Sequence, residues 1–309
     1  MFQLFHTPHI DFIALRRYAY AVSGALIVMG VVSLILHKGP NYGIDFKGGT
    51  SVVFRFEKPV STTEIRDALS AIGLGGSEIK SIEARHEFLI YVKQQKGLGA
   101  AEVARQIQEN VSQTISVPYT LRSVETVGPK IGSELKKDAL TAGIIALVLI
   151  MLYVGWRFDL VFGIAAVLAL FHDTFIALGI LSVFNFEISM KEIAAFMTIV
   201  GFSINDTIVT YDRMRENLKI FRNDDLVSIM NRSINETLSR TIITALTVFL
   251  VVLVLFLFGG EINRGFSLAM LVGTIVGCYS TIFVAAPLAW EWYKRRGGIQ
   301  SLRMAKRKA

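Results

Sequence analysis

Little in this 309-residue chain is equipped for covalent or acid–base chemistry. There is one cysteine, Cys278, so no internal disulfide can form and cysteine usage carries no redox information. Charged residues make up 18%, against about 25% in an average soluble domain. No HExxH, GxSxG or P-loop pattern occurs. Cys278 sits deep in an apolar stretch with no apparent activating partner. A disordered, collagen-like or disulfide-stapled chain is excluded, classical enzyme chemistry finds no motif, and no metal or other cofactor is expected.

What is abundant is apolar. The hydrophobic set reaches 52% and the mean hydropathy is +0.50. A bilayer crossing takes roughly 20 mostly apolar residues. Six stretches qualify, near Tyr18–Leu36, Ala139–Val154, Leu160–Phe184, Ile193–Tyr211, Thr241–Phe258 and Phe266–Trp290. The first is too long for a signal-peptide core and has no small-residue cleavage pattern after Leu36, so it reads as a retained anchor. The expected division is a cytoplasmic N-terminus (1–17), a first span (18–36), an external domain (37–138), five further spans (139–292) and a basic cytoplasmic tail (293–309).

The net charge of +7 invites a nucleic-acid reading, which its placement disfavours. With the N-terminus inside, the cytoplasmic segments carry sixteen of the 32 lysines and arginines: Arg16, Arg17, Arg157, a cluster from Arg213 to Arg240, and the group from Lys294 to Lys308. The short outer loops hold only Lys191 and Arg264. That asymmetry is the positive-inside signal, aided by anionic lipid, and it places both termini in the cytoplasm.

The segment between spans one and two has ordinary soluble composition. Thr50–Glu57 alternates as a strand; Ser61-Thr62-Thr63-Glu64 is a capping box that opens a helix ended by Gly73. Glu78–Ala84 and Phe88–Lys93 read as strands, Leu98–Thr114 as a helix through Val103, Ile107 and Val111, and Thr120–Val127 as a last strand. The β-α-β-β-α-β order is ferredoxin-like. His86 near a turn reads as a plain surface residue.

A charge at membrane depth costs at least roughly 2.5–3.5 kcal/mol, so each one calls for a reason. Asp206 lies about 7–8 Å from the inner end of the fourth span, and Ser203, Asp206, Thr207 and Thr210 share one helix face. Such a stripe must face protein or water. Its functional reading is a carboxyl that gains and loses protons; the bland alternative is a packing hydrogen bond. Arg240, at the inner start of the fifth span, lies at similar depth and is either the counter-ion of Asp206 or an ordinary helix-end anchor. Asn235, Thr241 and Thr244 could extend that seam. His172-Asp173, near mid-depth in the third span, is either a relay member or a satisfied buried pair. Gly273 and Gly277 have the GxxxG spacing of close helix packing.

These motifs converge on a resemblance. Tyr42-Gly43-Ile44-Asp45-Phe46-Lys47-Gly48-Gly49-Thr50, Val127-Gly128-Pro129 with Gly132, His172-Asp173, the run from Gly201 to Asn217, the run from Ser233 to Thr247, and Phe258-Gly259-Gly260 together make the chain similar to the SecF family. That family forms the six-span subunits of the bacterial SecD–SecF export complex and is related to the RND transporters. Lys47 departs from the small polar residue frequent there. The resemblance implies a multi-pass α-helical protein of the bacterial inner membrane with an α+β ferredoxin-like external domain, half of an RND-type unit, whose other half comes from SecD. It implies Asp206 as proton-pathway aspartate and Arg240 as its essential arginine, with Ser203, Asn205, Thr207, Thr210, Asn235, Thr244, His172 and Asp173 as relay or supporting residues. Tyr42, Gly43, Asp45, Phe46, Gly48, Gly49 and Thr50 form the family motif after the first span. The implied partners are SecD, the SecYEG channel, YajC and YidC as further candidates, unfolded preproteins and the lipid bilayer. Protons are the expected coupling ion, with sodium the alternative. The competing readings are an RND-type small-molecule efflux component, a scaffold that stabilises SecD and the channel without coupling, and, least favoured, an intramembrane hydrolase built on His172-Asp173.

Overall fold

The computed structural model describes residues 8–82, 86–93, 100–260 and 263–295. The basic residues from Arg296 onward, and the ends expected for the second external strand (to Ala84) and the second external helix (from Leu98), lie outside the described residues. The chain divides into two compact units: Tyr42–Thr141, and the remainder from either side of it.

The first unit contains a short helix α2 (Ile44–Lys47), then β1 (Gly49–Phe56), α3 (Thr62–Ala71), β2 (Glu78–Ile82), β3 (Glu87–Val92), α4 (Ala100–Thr114) and β4 (Tyr119–Val127). The sheet order is β2-β3-β1-β4, antiparallel throughout, as the ferredoxin-like pattern requires. β1 is central because both its faces are buried: Val52, Phe54 and Phe56 pack with Ile65 and Leu69 of α3 and Val103, Ile107 and Val111 of α4. The capping box forms as expected. The Glu64 amide donates to Ser61 Oγ (3.1 Å) and the Ser61 amide to Glu64 Oε2 (2.9 Å), while Gly73 ends α3 with a φ of +74°.

The motif after the first span forms a tight corner. Gly48 and Gly49 both have positive φ (67° and 134°), a region costly for other residues. A Cβ on Gly49 would lie 2.5 Å from the Val92 carbonyl oxygen. Tyr91 closes the corner by donating from its hydroxyl to the Gly48 carbonyl (2.5 Å). Lys47 projects its ammonium over the Tyr91 ring, 5.8 Å from the centroid. Gly132, in the first turn of the next helix, faces the backbone of Asp45 and Phe46 so closely that a Cβ would come within 3.1 Å of both carbonyl oxygens.

The second unit is a helical bundle. Among the described residues, six helices are long and apolar enough to cross a membrane: α1 (Phe12–Leu36), α5 (Pro129–Arg157), α6 (Leu160–Val183), α7 (Met190–Ile220), α8 (Leu226–Phe258), and α9 (Arg264–Ser280), which continues through a π-helical turn (Thr281–Ala285) into α10 (Ala286–Arg295). Most exceed the expected spans. α7 runs nine residues past Tyr211 and α8 begins fifteen before Thr241, because the polar turns there are amphipathic and bury Met214, Leu218, Ile229, Met230 and Ile234 in the same core. α6 and α9–α10 are central, with 56% and 61% of their most apolar stretches buried; α5 and α8 are peripheral, at 6% and 11%.

Candidate functional site

Small residues bring the central helices together. A Cβ on Gly273 would overlap Ile199 of α7, and one on Gly277 would stand 3.1 Å from Ser203 Cβ. A Cβ on Gly30 of α1 would reach Gly179 Cα of α6 at 2.9 Å. The GxxxG spacing of α9 is therefore a seat for α7, and the polar groups of both helices lie within hydrogen-bond reach of one another.

Two aspartates border this contact. Asp206 is buried, 1% exposed. Its partners are weak ones: Thr244 Oγ1 of α8 donates to Oδ1 at 3.5 Å, and Cys278 Sγ of α9 donates to Oδ2 at 3.7 Å. Arg240 is exposed and forms no ion pair with Asp206 in this state. The single Thr244 hydroxyl hydrogen also has the Arg240 and Thr241 backbone carbonyls at 3.0 Å, so Asp206 competes with both for it.

Asp173 is the opposite case. It is wholly buried and fully bonded. Oδ2 accepts from Ser203 Oγ of α7 (2.6 Å) and Ser280 Oγ of α9 (2.7 Å); Oδ1 lies 2.9 Å from His172 Nδ1. His172 Nε2 meets Ser23 Oγ of α1 (2.9 Å), which meets the Tyr279 hydroxyl (3.1 Å), which donates to the Ala19 carbonyl (2.6 Å). One turn further on, Thr207 and Thr281 join α7 to the start of the π-helical turn (3.0 Å). A π turn at a polar intramembrane contact is a frequent mark of function.

The stripe expected from spacing is present: Ser203, Asp206, Thr207 and Thr210 are all at most 2% exposed, with Thr210 Oγ1 3.5 Å from Thr237 Oγ1. Thr241, also buried, offers its carbonyl to Cys278 Sγ. Two expected supporting residues lie elsewhere. Asn205 is exposed, because the 100° step from Asp206 turns it off the buried face. Asn235 instead pairs with the chain entering α1: its Oδ1 accepts from the Ile10 amide (3.1 Å) and its Nδ2 donates to the Ile10 carbonyl (2.9 Å). The backbone ahead of α1 has unmet polar groups, and an asparagine side chain matches both. Ser23, Tyr279, Ser280, Thr281 and Cys278 give little sign of themselves in the sequence, since isolated hydroxyls and a thiol in apolar helices look like ordinary tolerated residues. The one available signal is the helical spacing of Gly277, Cys278 and Thr281. His86 sits at the β2–β3 turn with a φ of +52° and takes no part in the site.

Residues 106–295 match the family described as protein export membrane protein SecD/SecF, C-terminal, and residues 33–60 match the SecD/SecF GG motif. The chain belongs to the SecD/SecF family. The GG of that motif is the Gly48-Gly49 corner described above. The chain is 44% identical to the protein translocase subunit SecF of Desulfurispirillum indicum, covering 93% of both chains. It is 41% identical to SecF of Rhodothermus marinus, over 98% of this chain and all of that one. Among solved structures it resembles the crystal structure of SecDF, a translocon-associated membrane protein, from Thermus thermophilus, with a TM-score of 0.83 and 40% identity. A SecDF structure in a super-membrane-facing form gives a TM-score of 0.70 at 38% identity. The match spans 93% of this SecD/SecF chain but only 39% of the first SecDF chain, which is thus much the longer.

Proposed function

We propose that the chain is the SecF-type half of a two-part Sec export unit, in which a SecD-type partner supplies the other half and the proton motive force drives preprotein movement at the translocon. The family membership and the match to 39% of a fused SecDF chain support the division of labour. The positive-inside asymmetry supports placement in the cytoplasmic membrane with both termini inside. The reading needs no enzyme chemistry and no cofactor other than the coupling ion.

The observation that carries the coupling is the contrast between the two carboxyl groups. Asp173 has both oxygens met at short range, whereas Asp206 is as deeply buried with only a hydroxyl and a thiol at long range. Buried charge is retained where it is compensated. The compensation of Asp206 is adjustable, because Arg240 can close on it from α8 or withdraw. In the proposed cycle a proton from outside neutralises Asp206, its attraction for Arg240 falls, α7 and α8 shift against the partner half, and the proton leaves inward. A charge crossing 100 mV yields about 2.3 kcal/mol, enough for more than a tenfold bias but below the roughly 5.5 kcal/mol of near-complete switching. In this reading the channel served is SecYEG, and YajC and YidC are candidate further partners.

The test is Asp206→Asn in the reconstituted complex with SecD. Proton-driven stimulation of export should be lost while SecD association survives. Survival of both translocation and ion conductance would overturn the carrier role of Asp206. Repeating the conductance measurement in sodium distinguishes the coupling ion.

A further inference from the structure

We infer that Asp173 is a positioning residue rather than a proton carrier: through Ser203 and Ser280 it fixes the approach of α7 and α9, and so holds Cys278 against Asp206. The inference rests on the reading of Asp206 given above and assigns the second carboxyl a different task.

Three observations carry it. First, one oxygen serves two helices, since Oδ2 accepts from Ser203 of α7 and Ser280 of α9. Ser203 precedes Asp206 by three residues and Ser280 follows Cys278 by two, so the same turns that bind Asp173 present the Asp206–Cys278 contact. Second, α7 and α9 have no slack at this point: Gly277 lies directly against Ser203, and Thr207 bonds Thr281 on the far side. Displacing either serine therefore moves the Asp206 contact with it.

Third, the hydrogen count makes the His172–Asp173 pair neutral and gives each of its hydrogens a partner inside the cluster. The Tyr279 hydroxyl must donate to the Ala19 carbonyl, which only accepts. Ser23 then donates to the Tyr279 oxygen, and His172 Nε2 must carry a hydrogen to donate to Ser23. One further proton lies between His172 Nδ1 and Asp173 Oδ1. Whichever atom holds it, the pair is neutral overall and each donor in the cluster has an acceptor. Neutral, saturated and 0% exposed at Asp173, the cluster is built to hold shape.

This count singles out a discriminating substitution. In Asp173→Asn the amide oxygen still accepts from both serines and the amide nitrogen donates to His172 Nδ1, so the contacts persist while the exchangeable proton is gone. Asp173→Ala removes all of them. Cys278 is the chain's single cysteine and hence a native reporter of the Asp206 contact. The experiment measures maleimide alkylation of Cys278, read by mass spectrometry of its peptide in the SecD-bound complex, alongside proton-driven export. Asp173→Asn should keep the alkylation rate within about twofold of the parent and retain export, and Asp173→Ala should raise alkylation about tenfold and abolish export, as expected when a local closure is lost. Loss of export in Asp173→Asn as complete as in Asp206→Asn would make Asp173 a carrier and overturn the inference. An unchanged alkylation rate in Asp173→Ala would overturn the clamp. Should Asp173→Ala fail to assemble, the Asn variant alone still separates carrier from clamp. If Asp206→Asn leaves export intact, the coupling proposal fails while the alkylation rates still decide the role of Asp173.

Discussion

Two aspartates in adjacent helices sit in opposite hydrogen-bonding environments. Both are buried, yet one is saturated by three short bonds and the other holds two long ones. At the same scale, the paired glycines of the external unit are explained by backbone geometry alone. Gly49 combines a φ of +134° with a Cβ position 2.5 Å from a carbonyl oxygen. Gly49→Ala should destabilise the β1–β3 pairing by about 1–3 kcal/mol, the range for a residue held in a disallowed backbone region. Hydrogen exchange of the Val52 and Ile90 amides in the full chain checks this; protection equal to the parent would show that the corner can relax. Gly39, also at positive φ but with nothing near its Cβ, should suffer only the conformational part.

At the element scale the decisive feature is the α7–α9 contact. Gly273 seats Ile199 so closely that a Cβ would fall 2.2 Å from its Cγ1. Gly273→Leu should therefore separate the helices and lower the yield of monodisperse protein, with Ile199→Ala restoring part of it. Size-exclusion profiles of the single and double variants measure the coupling, and simple additivity would argue against direct contact. The external helix α3 offers a milder test. Ser61→Ala removes one side of its capping box and should cost about 1 kcal/mol of stability in thermal unfolding.

For the whole molecule, the uneven burial of the spans matters most. α6 and α9–α10 are enclosed by this chain, while α5 and α8 keep most of their apolar surface uncovered. In a bilayer lipid covers such faces, and in the proposed unit a SecD-type partner covers part of them. A partner that binds only the folded chain raises its stability. The thermal midpoint in nanodiscs should rise by several degrees when SecD is present, and an unchanged midpoint would speak against a shared membrane core.

Local pattern was enough for the six apolar helices, the order of elements in the external unit, the capping box and the polar stripe of α7. Each follows from a short-range rule: apolar run length, alternation, or the 3.6-residue period that puts Ser203, Asp206, Thr207 and Thr210 on one face. The same pattern marked His172-Asp173 and Gly273–Gly277 as places needing an explanation. Folding in three dimensions added the rest. It settled which strands pair, that Asn235 serves the chain ahead of α1 while Thr244 and Cys278 serve Asp206, and that Ser23, Tyr279, Ser280 and Thr281 belong to one polar network. Those facts depend on which helix faces meet and how near they come. Helix approach is set by glycines and small side chains from segments far apart in the chain, such as Gly30 and Gly179, and no local pattern records it.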